Sequence, residues 1–155
     1  MSIFTKTFNN DGVVLIKNCI PDSYINDTSS EYDRLDEKLE GAEIVKDMPL
    51  IVFWKHVEGE TKRITTFDKF PSLWSLINEV IIPVLRKEFP DKTKKLQLLE
   101  TIIFNKPAKI SNTLNWHQDV AYFPLNPNNQ IAVWIPFDIV TQERGCMVYA
   151  LGSHK

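Results

Sequence analysis

The chain has 155 residues, 43% of them hydrophobic and 25% charged, a composition that excludes disordered, collagenous and disulfide-stapled classes. Its 18 basic and 20 acidic residues leave a formal charge of −2, so no one-signed field recommends nucleic acid or an anionic membrane as partner. The sequence does not open on the apolar run of a signal peptide, and no stretch approaches the ~20 apolar residues of a membrane span, so the expectation is a soluble, cytoplasmic protein.

At this length roughly two-thirds of the unfolded surface can be buried, enough for one core. The expectation is one domain over 1–155, with a helix-containing part over 1–95 and a strand-rich part over 96–155. Asn10-Asp11-Gly12 is a turn sequence leading into Val13–Ile16, a first strand candidate. Pro21-Asp22 opens a polar segment in which Tyr24, Tyr32, Leu35 and Leu39 recur at near-helical spacing, with Gly41 as the stop. Leu50–Val57 is a second short strand candidate. Pro71–Phe89 carries the broadest helical face, from Leu73, Leu76, Ile77, Val80, Ile81, Val84 and Leu85. Pro83 within it predicts a kink near Ile82. The basic stretch Lys87–Lys95 is broken by Glu88 and Asp91 and reads as a solvated helix end and loop.

From Leu96 the pattern turns to period two. Leu96, Leu98, Glu100, Ile102 and Phe104 share one side of an extended segment that Lys106-Pro107 ends. Ile131–Phe137 and Cys146–Leu151 are further strand candidates. Helices followed by consecutive strands predict an α+β fold, or a mostly β, barrel-like core with helices outside. Cys19 and Cys146 have no metal-ligand spacing and sit in apolar company, as buried free thiols of a reducing compartment do.

Of the three histidines, His56 reads as a structural residue, whereas His117 is followed two positions later by Asp119. In an extended segment residues i and i+2 face the same way. The imidazole and carboxylate can then converge on one ion, and two histidines with one carboxylate leave three positions open for cosubstrate and oxygen. A surface His–Asp pair on a turn is the other reading these two residues allow.

The wider text bears on that choice. Trp116-His117-Gln118-Asp119-Val120-Ala121-Tyr122-Phe123-Pro124 closely resembles the metal-binding stretch of the phytanoyl-CoA dioxygenase family. So do Phe104-Asn105-Lys106-Pro107 before it, Ala132-Val133-Trp134 after it, and Gly145-Cys146-Met147 leading to Gly152-Ser153-His154-Lys155. These blocks keep the family's order over residues 99–155, and residues 8–90 fit its less distinctive N-terminal region.

The resemblance implies a double-stranded β-helix (jelly-roll, cupin-like) core behind N-terminal helices, with iron(II) and the cosubstrate 2-oxoglutarate. It implies His117 and Asp119 as two iron ligands, and Gln118, Trp134 and Ile102 beside the cosubstrate. Tyr122 and Phe123 would line the entrance for a small-molecule substrate. Related iron halogenases carry a small residue in place of this carboxylate, so Asp119 favours hydroxylation. The implied reaction consumes O2 and converts 2-oxoglutarate to succinate and CO2 while the substrate gains a hydroxyl.

The family pattern also needs a second metal histidine and, about ten residues later, an arginine for the distal carboxylate of 2-oxoglutarate. In the family His154 belongs to a strand-end or loop block, and Arg144 sits in a turn beside Gly145, so neither fills these roles. The expectation is a chain carrying about half the active site and truncated before the last strands. It would be inactive alone and prone to self-association through uncovered apolar faces. A non-catalytic family member that binds a ligand or partner without turnover is the alternative.

Overall fold

The computed structural model describes residues 3–39, 51–57, 60–65, 70–89, 96–99, 101–104, 115–123, 125–127 and 130–155. The expected stop at Gly41, the break at Lys106-Pro107 and the loop after Phe89 lie outside them. The chain divides into two units, one of residues 1–16 and 112–155 and the other of 17–111.

The larger unit opens with helix α2, Asp22–Leu39, following α1 of the other unit (Ile3–Asp11). Asp22 places a negative charge in the first turn of α2, the favourable end of the helix dipole. Strand β1, Ile51–Val57, pairs antiparallel with β2, Glu60–Thr65, and parallel with β3, Thr101–Phe104. The order is β2-β1-β3. In register, Val52 faces Thr65 on one side and Ile102 on the other. A parallel pair needs a long crossover, and the chain between β1 and β3 contains β2 and the helices.

That helical stretch is continuous but not uniform. Helix α3, Pro71–Ser75, runs into a π-helical turn, Leu76–Ile81, and then helix α4, Ile82–Glu88. The expected disturbance at Pro83 is thus a widened turn just before it. Proline has no N–H for the carbonyl of Glu79 and its ring crowds that carbonyl. The backbone answers with a wider loop, in which Ile82 N–H donates to Ile77. Asn78 Nδ2 donates to the carbonyl of Trp74 at 2.8 Å, adding a side-chain partner where the regular ladder is interrupted.

Phe70, Leu73, Leu76 and Val80 are the buried apolar residues among those described, joined by Thr28 of α2. Two polar straps hold α2 to this stretch. Glu31 accepts the Ser72 N–H at 2.8 Å, satisfying one of the donors a helix start leaves open; Phe70, at the N-cap, offers no side-chain cap. Tyr24 donates to Glu79 at 2.7 Å, and the Tyr24 phenol is held above its ordinary range chiefly by that bond.

In the smaller unit, α1 ends at Gly12, whose φ of +78° is left-handed and whose N–H donates to Phe8 at 2.8 Å. Val13–Ile16, expected as a strand, therefore leaves a helix end and has no ladder partner among the described residues. The same correction applies to Ile131–Phe137 and Cys146–Leu151: neither has a ladder partner among the described residues. Of the expected 96–104 strand only Thr101–Phe104 pairs, and Ile102 and Phe104 face outward while Thr101 and Ile103 are half-buried.

The described sheet has three strands and is mixed. A jelly roll is built from antiparallel strands in two sheets, so the β1–β3 pairing is not a jelly-roll contact. The turn at 141–146 closes on itself. Cys146 N–H donates to Thr141 and Gly145 N–H to Gln142, both at 3.1 Å, with Gly145 left-handed at φ +73°. Arg144 donates to the Ile139 carbonyl at 3.2 Å, which commits its guanidinium to this turn. No helix among the described residues is long and apolar enough to cross a membrane.

Candidate metal centre

The segment from Asn115 to Phe123 lies in the smaller unit. Gln118 is extended (φ −117°, ψ 129°), and a single 3-10 turn, Asp119–Tyr122, follows it. Ala121 N–H donates to the Gln118 carbonyl at 3.0 Å and fixes that junction. The extended link turns His117 and Asp119 toward each other, with His117 Nε2 3.4 Å from Asp119 Oδ1.

The other face of the imidazole fixes its chemistry. His117 Nδ1 lies 2.7 Å from the carbonyl oxygen of Asn115. A carbonyl can only accept, so Nδ1 carries the hydrogen and the neutral ring keeps its lone pair on Nε2. Metal-binding histidines use this arrangement, one nitrogen anchored to an acceptor and the other free to ligate. An ion about 2.1 Å from two donors at a right angle sets them about 3.0 Å apart. The observed separation is a few tenths of an ångström wider and needs only a small side-chain adjustment. The donor set of neutral nitrogen and carboxylate oxygen suits a divalent first-row ion such as iron(II).

Trp116, His117, Gln118, Ala150 and Ser153 line an open cleft of about 300 Å3, which takes in His117 but not Asp119. Gln118 Nε2 donates to the Ser153 carbonyl, so its amide is turned to the 151–154 turn. Tyr122 meets the His117 ring edge-on, with centroids 5.8 Å apart and planes at 70°. Tyr122 is 69% exposed; Phe123, next to it, is half-buried. Trp134 is 43% exposed and is not among the residues lining the cleft. Ile102 belongs to β3 in the other unit and is 37% exposed. The structure therefore groups His117, Gln118, Asp119 and Tyr122.

Sequence reasoning passed over Asn115, which sets the tautomer of His117, and the carbonyl of Ser153. It also passed over Tyr149, whose phenol is held above its ordinary range by partial burial and, secondarily, by the negative charge of Asp119. No local signal marked them, because each acts through a contact the fold creates. His154, already discounted as a ligand, has its Nε2 directed to the Asn9 carbonyl at 3.1 Å. The described residues contain no cluster of three or more His, Cys, Asp or Glu able to hold a metal; the pair offers two donor atoms, His117 Nε2 and Asp119 Oδ1.

The family model for phytanoyl-CoA dioxygenase (PhyH) matches residues 8–155. A probable phytanoyl-CoA dioxygenase of Caenorhabditis elegans is 26% identical over 96% of this chain and 51% of its own length. The peroxisomal phytanoyl-CoA dioxygenases of Homo sapiens and Bos taurus are 25% and 27% identical, each over 97% of this chain and 46% of their own lengths. No solved structure matches the chain. It spans about half the length of these curated relatives. With the match covering nearly every residue and the His117–Asp119 pair within it, the chain belongs to the phytanoyl-CoA dioxygenase family.

Proposed function

We propose that this chain carries part of the active site of a non-haem iron(II), 2-oxoglutarate-dependent dioxygenase that hydroxylates a small organic molecule. The observation that carries the reading is the His117 Nε2–Asp119 Oδ1 approach of 3.4 Å together with the anchoring of Nδ1 on Asn115. Family membership supports the cofactor class and a jelly-roll architecture for the whole protein.

In this reading His117 offers its Nε2 lone pair, and its hydrogen bond to Asn115 holds the ring so that little ordering remains on binding. Asp119 supplies an anionic oxygen that offsets part of the ion's charge and occupies the position a halide would need. Bound iron(II) with 2-oxoglutarate supplies the oxidising chemistry: O2, 2-oxoglutarate and a substrate C–H give succinate, CO2 and the hydroxylated product. Gln118, Trp134 and Ile102 are proposed to border the cosubstrate. Tyr122 and Phe123 form the mouth for the substrate, where an exposed aromatic beside the ligand histidine can contact an apolar molecule. A third iron ligand and an arginine for the distal carboxylate are needed to complete the proposed site.

Succinate formation from 2-oxoglutarate, measured on a form spanning the full length of the relatives, tests the reading. Release should require iron(II) and O2 and vanish in His117→Ala. Unimpaired release in that variant would remove His117 from the metal.

A further inference from the structure

An α-helix leaves its last carbonyls without partners inside the helix. At the end of α1 two such carbonyls are taken by the turn at 151–154. Gly152 N–H donates to Asp11 at 2.8 Å, and His154 Nε2 donates to Asn9 at 3.1 Å. The imidazole lies so close over Gly12 that a Cβ built there would overlap the Nδ1 and Cγ of His154 and press on its Cβ. Gly12 is thus required twice, for its left-handed backbone and for the space its missing side chain leaves. The carbonyl of Ser153, in the same turn, accepts from Gln118 Nε2. Gln118 stands between His117 and Asp119.

We infer that His154 and Gly12 are positioning residues for the His117–Asp119 pair, acting through Ser153 and Gln118. The end of α1 holds the turn, and the turn holds Gln118. Gln118 in turn keeps the backbone extended at the one residue whose conformation sets both ligands on a common side. The inference rests on the reading of His117 and Asp119 as ligands. It explains why a histidine whose Nε2 is turned to Asn9 follows the cleft-lining Ser153, and why α1, only nine residues long and too short to be stable alone, forms at all. The two side-chain bonds are exposed, so the hold comes from the convergence of all three on consecutive residues rather than from any single one.

Amide hydrogen exchange across residues 115–123 tests this without metal, with exchange in α2 and α4 as the control for the fold as a whole. His154→Ala should speed exchange in 115–123 by about tenfold, the scale of one lost hydrogen bond, with α2 and α4 unchanged. Cobalt(II) affinity should fall by roughly the same order. His154→Gln keeps an N–H donor and should restore both. Gln118→Ala combined with His154→Ala should be no worse than either alone, because the two lie on one path. Unchanged exchange in 115–123, additive effects, or failure of the glutamine to rescue would overturn the positioning role. Because the exchange arm needs no metal, a wild-type chain that binds no cobalt would instead sink the functional reading and the metal part of this one.

Discussion

Among the described residues Thr28 is the buried polar residue beside the apolar core of the larger unit, 1% exposed, and its hydroxyl has no hydrogen-bond partner among them. Replacing it with valine keeps both branches on Cβ and changes only polarity. A buried hydroxyl without a partner costs about 1–3 kcal/mol in protein mutational data. Threonine and valine have nearly equal helix propensity, so α2 itself should be indifferent. Thr28→Val is therefore expected to stabilise the fold by about 1 kcal/mol, the low end of that range, since a small local rearrangement could already offset part of the cost. For a chain of this size about 1 kcal/mol corresponds to a Tm rise of roughly 2–4 °C. Thr28→Ala removes the hydroxyl but also a methyl from the packing, and the two effects should nearly cancel. Denaturant and thermal unfolding of the three proteins measure this. A Thr28→Val protein less stable than the parent would show that the hydroxyl is satisfied and that the packing of α2 on the Phe70–Val80 core is misplaced.

Other expectations follow from the same contacts. Glu31→Ala should destabilise by about 1 kcal/mol through loss of the Ser72 cap, and Glu31→Gln by about half of that, since an acceptor remains without its charge; unfolding midpoints check both. Tyr149 should titrate above a free tyrosine in an ultraviolet absorbance titration. Asp119→Asn should move it only part of the way back, because burial is the larger cause. The sign follows from the raised folded-state value: this group's contribution to stability is complete below the ordinary tyrosine range near 10 and is lost as pH rises through the folded value. A Tyr149 value unmoved by Asp119→Asn would separate the two side chains.

The legible parts of the fold are those where local pattern and tertiary structure agree. The spacing of Tyr24 and Tyr32 marked α2, and the Leu73–Leu85 face marked the helix over 71–88. Pro83 marked its disturbance too, although only the backbone shows it resolved as a π-helical turn. α1 was not legible, since threonine, asparagine and aspartate are weak helix formers and its end is closed by residues 152–154. β2 was hidden for a related reason: Glu60–Thr65 reads as polar and becomes a strand by pairing with β1. Conversely, the alternation of Leu96, Leu98, Ile102 and Phe104 and the apolar run Ile131–Phe137 promise strands. Alternation supplies a face but not the neighbouring backbone, and among the described residues of these segments only Thr101–Phe104 is paired.

The site divides along the same line. His117 and Asp119 were readable because an i, i+2 relation in an extended segment is a local property, and Gln118 confirms the extended link. The tautomer-setting carbonyl of Asn115, the phenol of Tyr149 and the brace from Gly12 and His154 come from the folded chain. Among the described apolar residues, Val133, Ile139, Val148 and Leu151 are exposed. That exposure supports the proposal that the isolated chain self-associates, which light scattering over a concentration series would check; a monodisperse monomer would count against it.

We propose that His117, through Nε2, and Asp119 together hold one divalent ion, a reading supported by their 3.4 Å approach and the Asn115 anchor. Anaerobic titration of the chain with cobalt(II), followed by its visible absorption, tests it most directly. One bound ion per chain is expected, with binding weakened by at least about tenfold in His117→Ala and again in Asp119→Ala. Cobalt binding of the same strength and stoichiometry in both variants would contradict it.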